Sequence, residues 1–119
     1  MEYLKYIIPS LLFIFFVRSV LPVKGIRQIS TTELRKELND KNKQFIDVRT
    51  TAEYRAKSIR GFKNIPLHEL DEKLTGLSKE KEVVLICQSG MRSSKASKKL
   101  KKQGFKQVTN VKGGMSLWK

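Results

Sequence analysis

Val83-Val84-Leu85-Ile86-Cys87-Gln88-Ser89-Gly90-Met91-Arg92-Ser93 runs from an apolar segment into a short polar turn, and a lysine-rich segment follows. Glu82 to Ile86 reads as a buried central strand and Arg92 to Gln103 as a helix, with Ala96 and Leu100 inward and lysines outward. Cys87, the only cysteine of the chain, therefore falls at a strand-to-helix turn. Amide groups at a helix start have no intrahelical partner, and the helix dipole adds partial positive charge there. A thiolate or another anion is stabilised at such a point.

Working outward, Lys24 to Gln28 reads as a linker. Ser30-Thr31-Thr32-Glu33 is a capping-box pattern, and Leu34 and Leu38 share the face of the helix it opens. Phe45 to Val48 is a short strand, Thr51 caps a brief helix through Ala56, and Asn64-Ile65 is a small strand ended by Pro66. Leu67 to Leu74 is another helix, with Leu67, Leu70 and Leu74 on one side. Gly104 suits a helix stop, and Phe105 to Asn110 returns as a strand before Gly113-Gly114. Strands alternating with helices predict an α/β fold with a parallel sheet. In such sheets functional sites form at the carboxyl ends of strands, where Cys87 and Asp47 both fall.

A cysteine at the end of a buried strand usually packs as a small hydrophobe. The residues after Cys87 favour chemistry instead. Gly90 permits unusual backbone angles, Arg92 carries a permanent charge, and Ser89 and Ser93 supply hydroxyls. Asp47 suits a cap or a supporting residue, with Arg49 as its ion-pair partner or as a group facing a substrate. Glu53 reads equally well as a surface helix charge, and His68, the only histidine, as an exposed helical residue. One histidine and one cysteine give neither a Ser-His-Asp set nor a metal-ligand cluster, so no metal or organic cofactor is expected.

Cys87-Gln88-Ser89-Gly90-Met91-Arg92 resembles the six-residue active-site loop of the single-domain rhodanese family. Phe45-Ile46-Asp47-Val48-Arg49, Glu53-Tyr54, Ile59-Arg60-Gly61-Phe62-Lys63-Asn64-Ile65-Pro66 and Gly113-Gly114-Met115-Ser116-Leu117-Trp118 are similar to other family blocks and occur in the family's order. The resemblance covers roughly Gln28 to Lys119. It departs at Lys57-Ser58, where the family often carries Gly-His. It implies a three-layer α/β/α fold with a central, mostly parallel sheet. It also implies a sulfurtransferase in which Cys87 takes a sulfane sulfur from thiosulfate or another persulfide donor and passes it to a thiol, or to cyanide. Arg92 would then bind the anionic donor and stabilise the thiolate. The loop from Gln88 through Ser89, Gly90 and Met91 to Ser93 would cradle the substrate, and Asp47 and Arg49 would support it. Related phosphatases use a loop one residue longer, His-Cys-x5-Arg; here Ile86 precedes Cys87 and Ser93 holds the sixth position. A phosphatase or arsenate reductase therefore ranks below sulfur transfer, as does a non-catalytic docking module.

The first 23 residues differ in composition. Tyr6 to Val23 is apolar with a single charge, Arg18, and as a helix would span about 27 Å, near a bilayer's hydrocarbon thickness. A cleaved signal would want a more basic start and a small-residue cleavage site. The expectation is an N-terminal hydrophobic helix over residues 1–23 acting as a single-pass membrane anchor, with a domain over 24–119. Arg18, Lys24 and Arg27 on its C-terminal flank predict that the domain faces the cytoplasm. A lone cysteine also suits a reducing compartment. Net charge is +14, and Val83 to Lys119 holds nine basic residues and no acidic one. This excess suits anionic sulfur donors, an acidic protein partner or an anionic lipid leaflet. Aromatic residues are not interleaved with the lysines, which argues against nucleic acid.

Overall fold

The computed structural model describes residues 2–20 and 25–119. The expected domain boundary at residues 23 and 24 lies outside them. Helix α1, Leu4–Val20, includes Pro9 as its sixth residue, where proline has no amide to give to the carbonyl four residues earlier. Its apolar side chains, Ile7, Ile8, Leu11, Leu12, Phe13, Ile14, Phe15 and Phe16 among them, are exposed. Among the described residues no helix is long and apolar enough to cross a membrane, so the structure does not show the single-pass anchor expected over residues 1–23.

The rest is one parallel sheet. Strands β1 (Ile26–Ile29), β2 (Lys43–Asp47), β3 (Lys63–Asn64), β4 (Glu82–Ile86) and β5 (Val108–Val111) lie in the order β1-β5-β4-β2-β3, and every neighbouring pair is parallel. Helices α2 (Thr31–Glu37), α3 (Thr51–Ala56) and the short α6 (Gly114–Leu117) supply one layer, and α4 (Leu70–Lys73) and α5 (Met91–Lys102) the other. The sequence explains the two layers through the period of two along a strand. On β4, Val83 and Leu85, continued by Cys87, pack with Leu70, Ala96 and Leu100. The alternate residues Val84 and Ile86 pack with Leu34, Phe62 and Met115. Being covered on both faces, the strand is apolar from Val83 to Ile86, as parallel central strands are.

Local chemistry sets the element starts. Ser30 and Glu33 form the expected reciprocal box at α2, with the Glu33 amide donating to Ser30 Oγ at 3.1 Å. A second box opens α3, but its cap is Thr50 rather than Thr51: the Glu53 amide donates to Thr50 Oγ1 at 3.2 Å, and the Thr50 amide donates to Glu53 Oε1 at 3.1 Å. The expected linker over Lys24 to Gln28 is in part strand β1. Four residues with apolar ends carry no clear period, and only pairing with β5 makes them a strand. The expected helix over Leu67 to Leu74 is α4 between two 3₁₀ turns, Leu67–Glu69 and Leu74–Gly76. Phe105 is not in the last strand. It follows Gly104, whose φ of 93° ends α5, and its amide donates back to Leu100 O at 3.1 Å, so its ring is buried beneath the helix end.

Candidate active site

Cys87 follows β4 directly, at the carboxyl edge of the sheet. Its sulfur accepts the Gly90 amide at 3.0 Å and lies 3.3 Å from the Ser93 hydroxyl. That hydroxyl also lies 3.2 Å from the Gly90 carbonyl, so its single proton serves one acceptor or the other. Gly90 turns the loop back over the sulfur with φ of 100°, a region side-chain-bearing residues avoid. The side chain of Cys87 is fully buried. The thiol therefore sits beneath the loop rather than at its mouth, and a reactant reaches it only if the loop yields.

The start of the loop is clasped by α6. The carbonyls one helical turn before Met91 and Arg92 are those of Cys87 and Gln88. Both are turned onto α6: Cys87 O accepts the Met115 amide at 2.8 Å. Gln88 O accepts the Ser116 amide at 2.9 Å and the Ser116 hydroxyl at 2.7 Å. This backbone is thereby fixed to α6, and of the loop amides that of Gly90 reaches the sulfur. The contact with α6 needs glycine, because a Cβ on Gly114 would lie 2.1 Å from Cys87 O. Gly114, Met115 and Ser116 were not among the residues expected at the site. The Gly-Gly pair was the available signal, but its target lies far back in the chain.

Arg92 does not point its fork at the sulfur. It pairs with Glu53, Nη1 to Oε1 at 2.7 Å and Nη2 to Oε2 at 2.9 Å. The Arg92 hydrogen bonds, helped by those from Thr50, hold Glu53 at a pKa of about 2 against a partial desolvation penalty. The same bonds raise Arg92 above its ordinary value. Glu53, read from the sequence equally well as a surface charge, thus belongs beside the loop.

Asp47 and Arg49 are brought together as the sequence suggested. Both are buried, and Arg49 reaches Asp47 through Nε and Nη2, the latter at 2.8 Å. Its Nη2 also donates to Lys57 O at 2.6 Å, and Nη1 lies 3.5 Å from Gln88 Oε1. Asn64 Nδ2 ties the carbonyls of Asp47 and Arg49, each at 3.0 Å. These groups brace the backbone beside the loop. The remaining loop residues Gln88, Ser89 and Met91 are exposed, while Ser93 is buried. A cleft of about 320 Å³ opens beside Arg92, between Val48, Pro66, Leu67 and His68. His68 is exposed. Among the described residues no group of acidic, histidine and cysteine side chains could hold a metal ion.

A parallel α/β domain with a lone cysteine under a glycine-turned loop at the sheet's carboxyl edge, its sulfur accepting a loop amide, defines a class of thiol-bearing α/β domains. The Rhodanese-like domain family matches residues 30–119, and the chain belongs to that family. It is 43% identical over 94 residues to the Bacillus subtilis (strain 168) protein named "Putative sulfurtransferase YtwF", covering 78% of this chain and 90% of that one. It is 38% identical over 95 residues to "Putative sulfur carrier protein YrkF" of the same organism, covering 79% of this chain but only 51% of that protein. The crystal structure of a rhodanese-like domain protein from Staphylococcus aureus superposes with a TM-score of 0.73 at 33% identity, covering 78% of this chain and 91% of that one. Membership and these names support a sulfurtransferase family.

Proposed function

We propose that this protein is a sulfurtransferase that carries sulfur as a persulfide on Cys87. The observation that carries the reading is the Gly90 amide donating to a sulfur seated under a loop with Arg92 five positions on. The Cys87 thiolate attacks the outer sulfur of thiosulfate or a similar donor. The new S–S bond forms as the donor's S–S bond breaks, and sulfite leaves with the electron pair. The attacked persulfide then passes its outer sulfur to an acceptor thiolate, and the pair from the broken bond returns to Cys87. Amide donors stabilise the negative sulfur in both steps. Arg92, with Nε outside its Glu53 fork, offers a cation to the anionic donor in the adjoining cleft.

Full burial of Cys87 favours a second reading, a docking module that keeps the fold without turnover. Thiocyanate formation from thiosulfate and cyanide separates the two. The expected result is activity in the wild type, none in Cys87→Ala, and a mass gain of one sulfur on Cys87 after exposure to donor. No turnover and no added sulfur in the wild type would leave the docking module.

The same proposal includes a membrane tether over residues 1–23, with the domain on the cytoplasmic side. Its support is the exposed apolar surface of α1, which water does not solvate favourably. Deleting residues 1–23 should release the protein from the membrane fraction. A full-length protein that stays in the aqueous phase without detergent would sink the tether.

A further inference from the structure

Met91 and Leu117 are 79% and 60% exposed. Among the described residues from Gly25 onward no other large hydrophobic side chain is exposed. They come from distant parts of the chain yet share one place. Leu117 folds over Gly113, where an added Cβ would lie 2.2 Å from Leu117 Cδ1, and Gly113 abuts Gly90, the residue before Met91. An isolated exposed leucine means little. Two that bracket the loop over Cys87 form an apolar rim at the only thiol.

The rim is ringed by cations. A cleft of about 410 Å³ beside Met91 is lined by Gly90, Ser94, Lys95 and Lys98, and Lys112 stands exposed next to Gly113. Lys95, Lys98 and Lys112 make no ion pair among the described residues, whereas Lys99 is paired with Asp71. Glu53 is already taken by Arg92. An apolar centre with a charged rim is the composition of a protein-docking patch, and uncompensated charge of one sign selects a partner of the other.

Resting on the sulfurtransferase reading, we infer that the acceptor of the Cys87 persulfide sulfur is a cysteine of an acidic protein, docked with an apolar side chain against Met91 and Leu117 and carboxylates against Lys95, Lys98 and Lys112. The partner's thiolate attacks the outer sulfur of the Cys87 persulfide. The Cys87 S–S bond breaks, its electron pair stays on Cys87, and the partner leaves as the persulfide. No oxidant or reductant is consumed.

The test loads the full-length protein with thiosulfate and removes excess donor. It then follows loss of the added sulfur by mass spectrometry with three acceptors: a cysteine peptide with one leucine flanked by aspartates and glutamates, the same peptide with lysines in their place, and 2-mercaptoethanol. At low salt the acidic peptide should accept at least about tenfold faster than the basic one, with the advantage shrinking as salt screens the charges. Lys98→Glu and Lys112→Glu should each slow the acidic peptide several-fold, and Leu117→Ser should slow both peptides. The rate with 2-mercaptoethanol should stay within about twofold in all three variants. Equal rates for the two peptides at low salt, or charge variants that transfer to the acidic peptide like the wild type, would overturn the inference while leaving sulfur transfer intact. Failure to load any sulfur would instead remove the sulfurtransferase reading, and this inference with it.

Discussion

Gly114 carries no functional group, yet Cys87 depends on it. A methyl at this position would lie 2.1 Å from Cys87 O and 2.9 Å from its carbonyl carbon, so the loop must move or α6 must part from it. Overpacking of this kind costs about 1–3 kcal/mol of stability, while a shift of about 1 Å at a reacting atom can cost about a hundredfold in rate. Gly114→Ala should therefore lose sulfur-transfer activity by about two orders of magnitude while remaining folded, as read by kcat/KM and a melting curve. Activity within about threefold of the wild type would show that the α6 clasp does not position the loop. Arg92 calls for a paired test. Removing it alone leaves the Glu53 carboxylate unpaired beside the donor cleft, where it repels an anion. Arg92→Ala should cut kcat/KM for thiosulfate by about a hundredfold, and Arg92→Ala with Glu53→Ala should recover about tenfold of that. A double variant no better than Arg92→Ala would mean that Glu53 does not act on the donor.

Among the elements, α3 is held by a single box whose two members have different duties. The Thr50 hydroxyl accepts the Glu53 amide, and the Glu53 carboxylate reaches both the Thr50 amide and Arg92. Thr50→Ala removes a cap worth about 1 kcal/mol, which is about 4–8 °C in Tm for a domain of this size. Thr50→Ser should restore it. Activity should change little in either, because the carboxylate keeps its hold on Arg92; a large loss of activity in Thr50→Ala would show that α3 rather than Glu53 orders the loop. The same element marks what a sequence can reveal. The turn after β4 is legible because its apolar strand, its cysteine and Gly90 are contiguous, and the pairing of Asp47 with Arg49 is legible because they flank a single residue at a strand end. The Arg92–Glu53 fork and the α6 clasp are not, since each joins residues from separate crossovers, and nothing local to Glu53 distinguishes it from a solvated charge. Strand β1 is invisible for the same reason: its hydrogen bonds belong to β5.

For the whole molecule, the end of the sheet opposite Cys87 is tied by charge. Glu37 on α2 accepts Arg27 Nη1 at 2.9 Å and also bonds Lys43. Glu82 on β4 accepts Arg27 Nη1 at 3.2 Å and Thr109 Oγ1 at 3.0 Å. The network thus joins β1, α2, β2, β4 and β5, and it offsets part of the self-repulsion of a chain carrying +14. The Arg27 hydrogen bond, followed by that of Lys43, lowers Glu37 to a pKa of about 2 despite its partial burial. A carboxylate held below its unfolded value binds its proton more readily in the unfolded chain. Its stabilising contribution is therefore complete above about pH 4.5 and drains away as pH falls toward about 2. In Glu37→Gln that contribution is absent at every pH. At pH 6 the variant should be less stable than the wild type by an amount on the order of 2 kcal/mol and melt lower accordingly, and the two melting temperatures should converge between pH 4.5 and 2.5. Melting temperatures that stay a constant distance apart across that range would mean that Glu37 stabilises the fold by packing, and that the charge network contributes nothing through it.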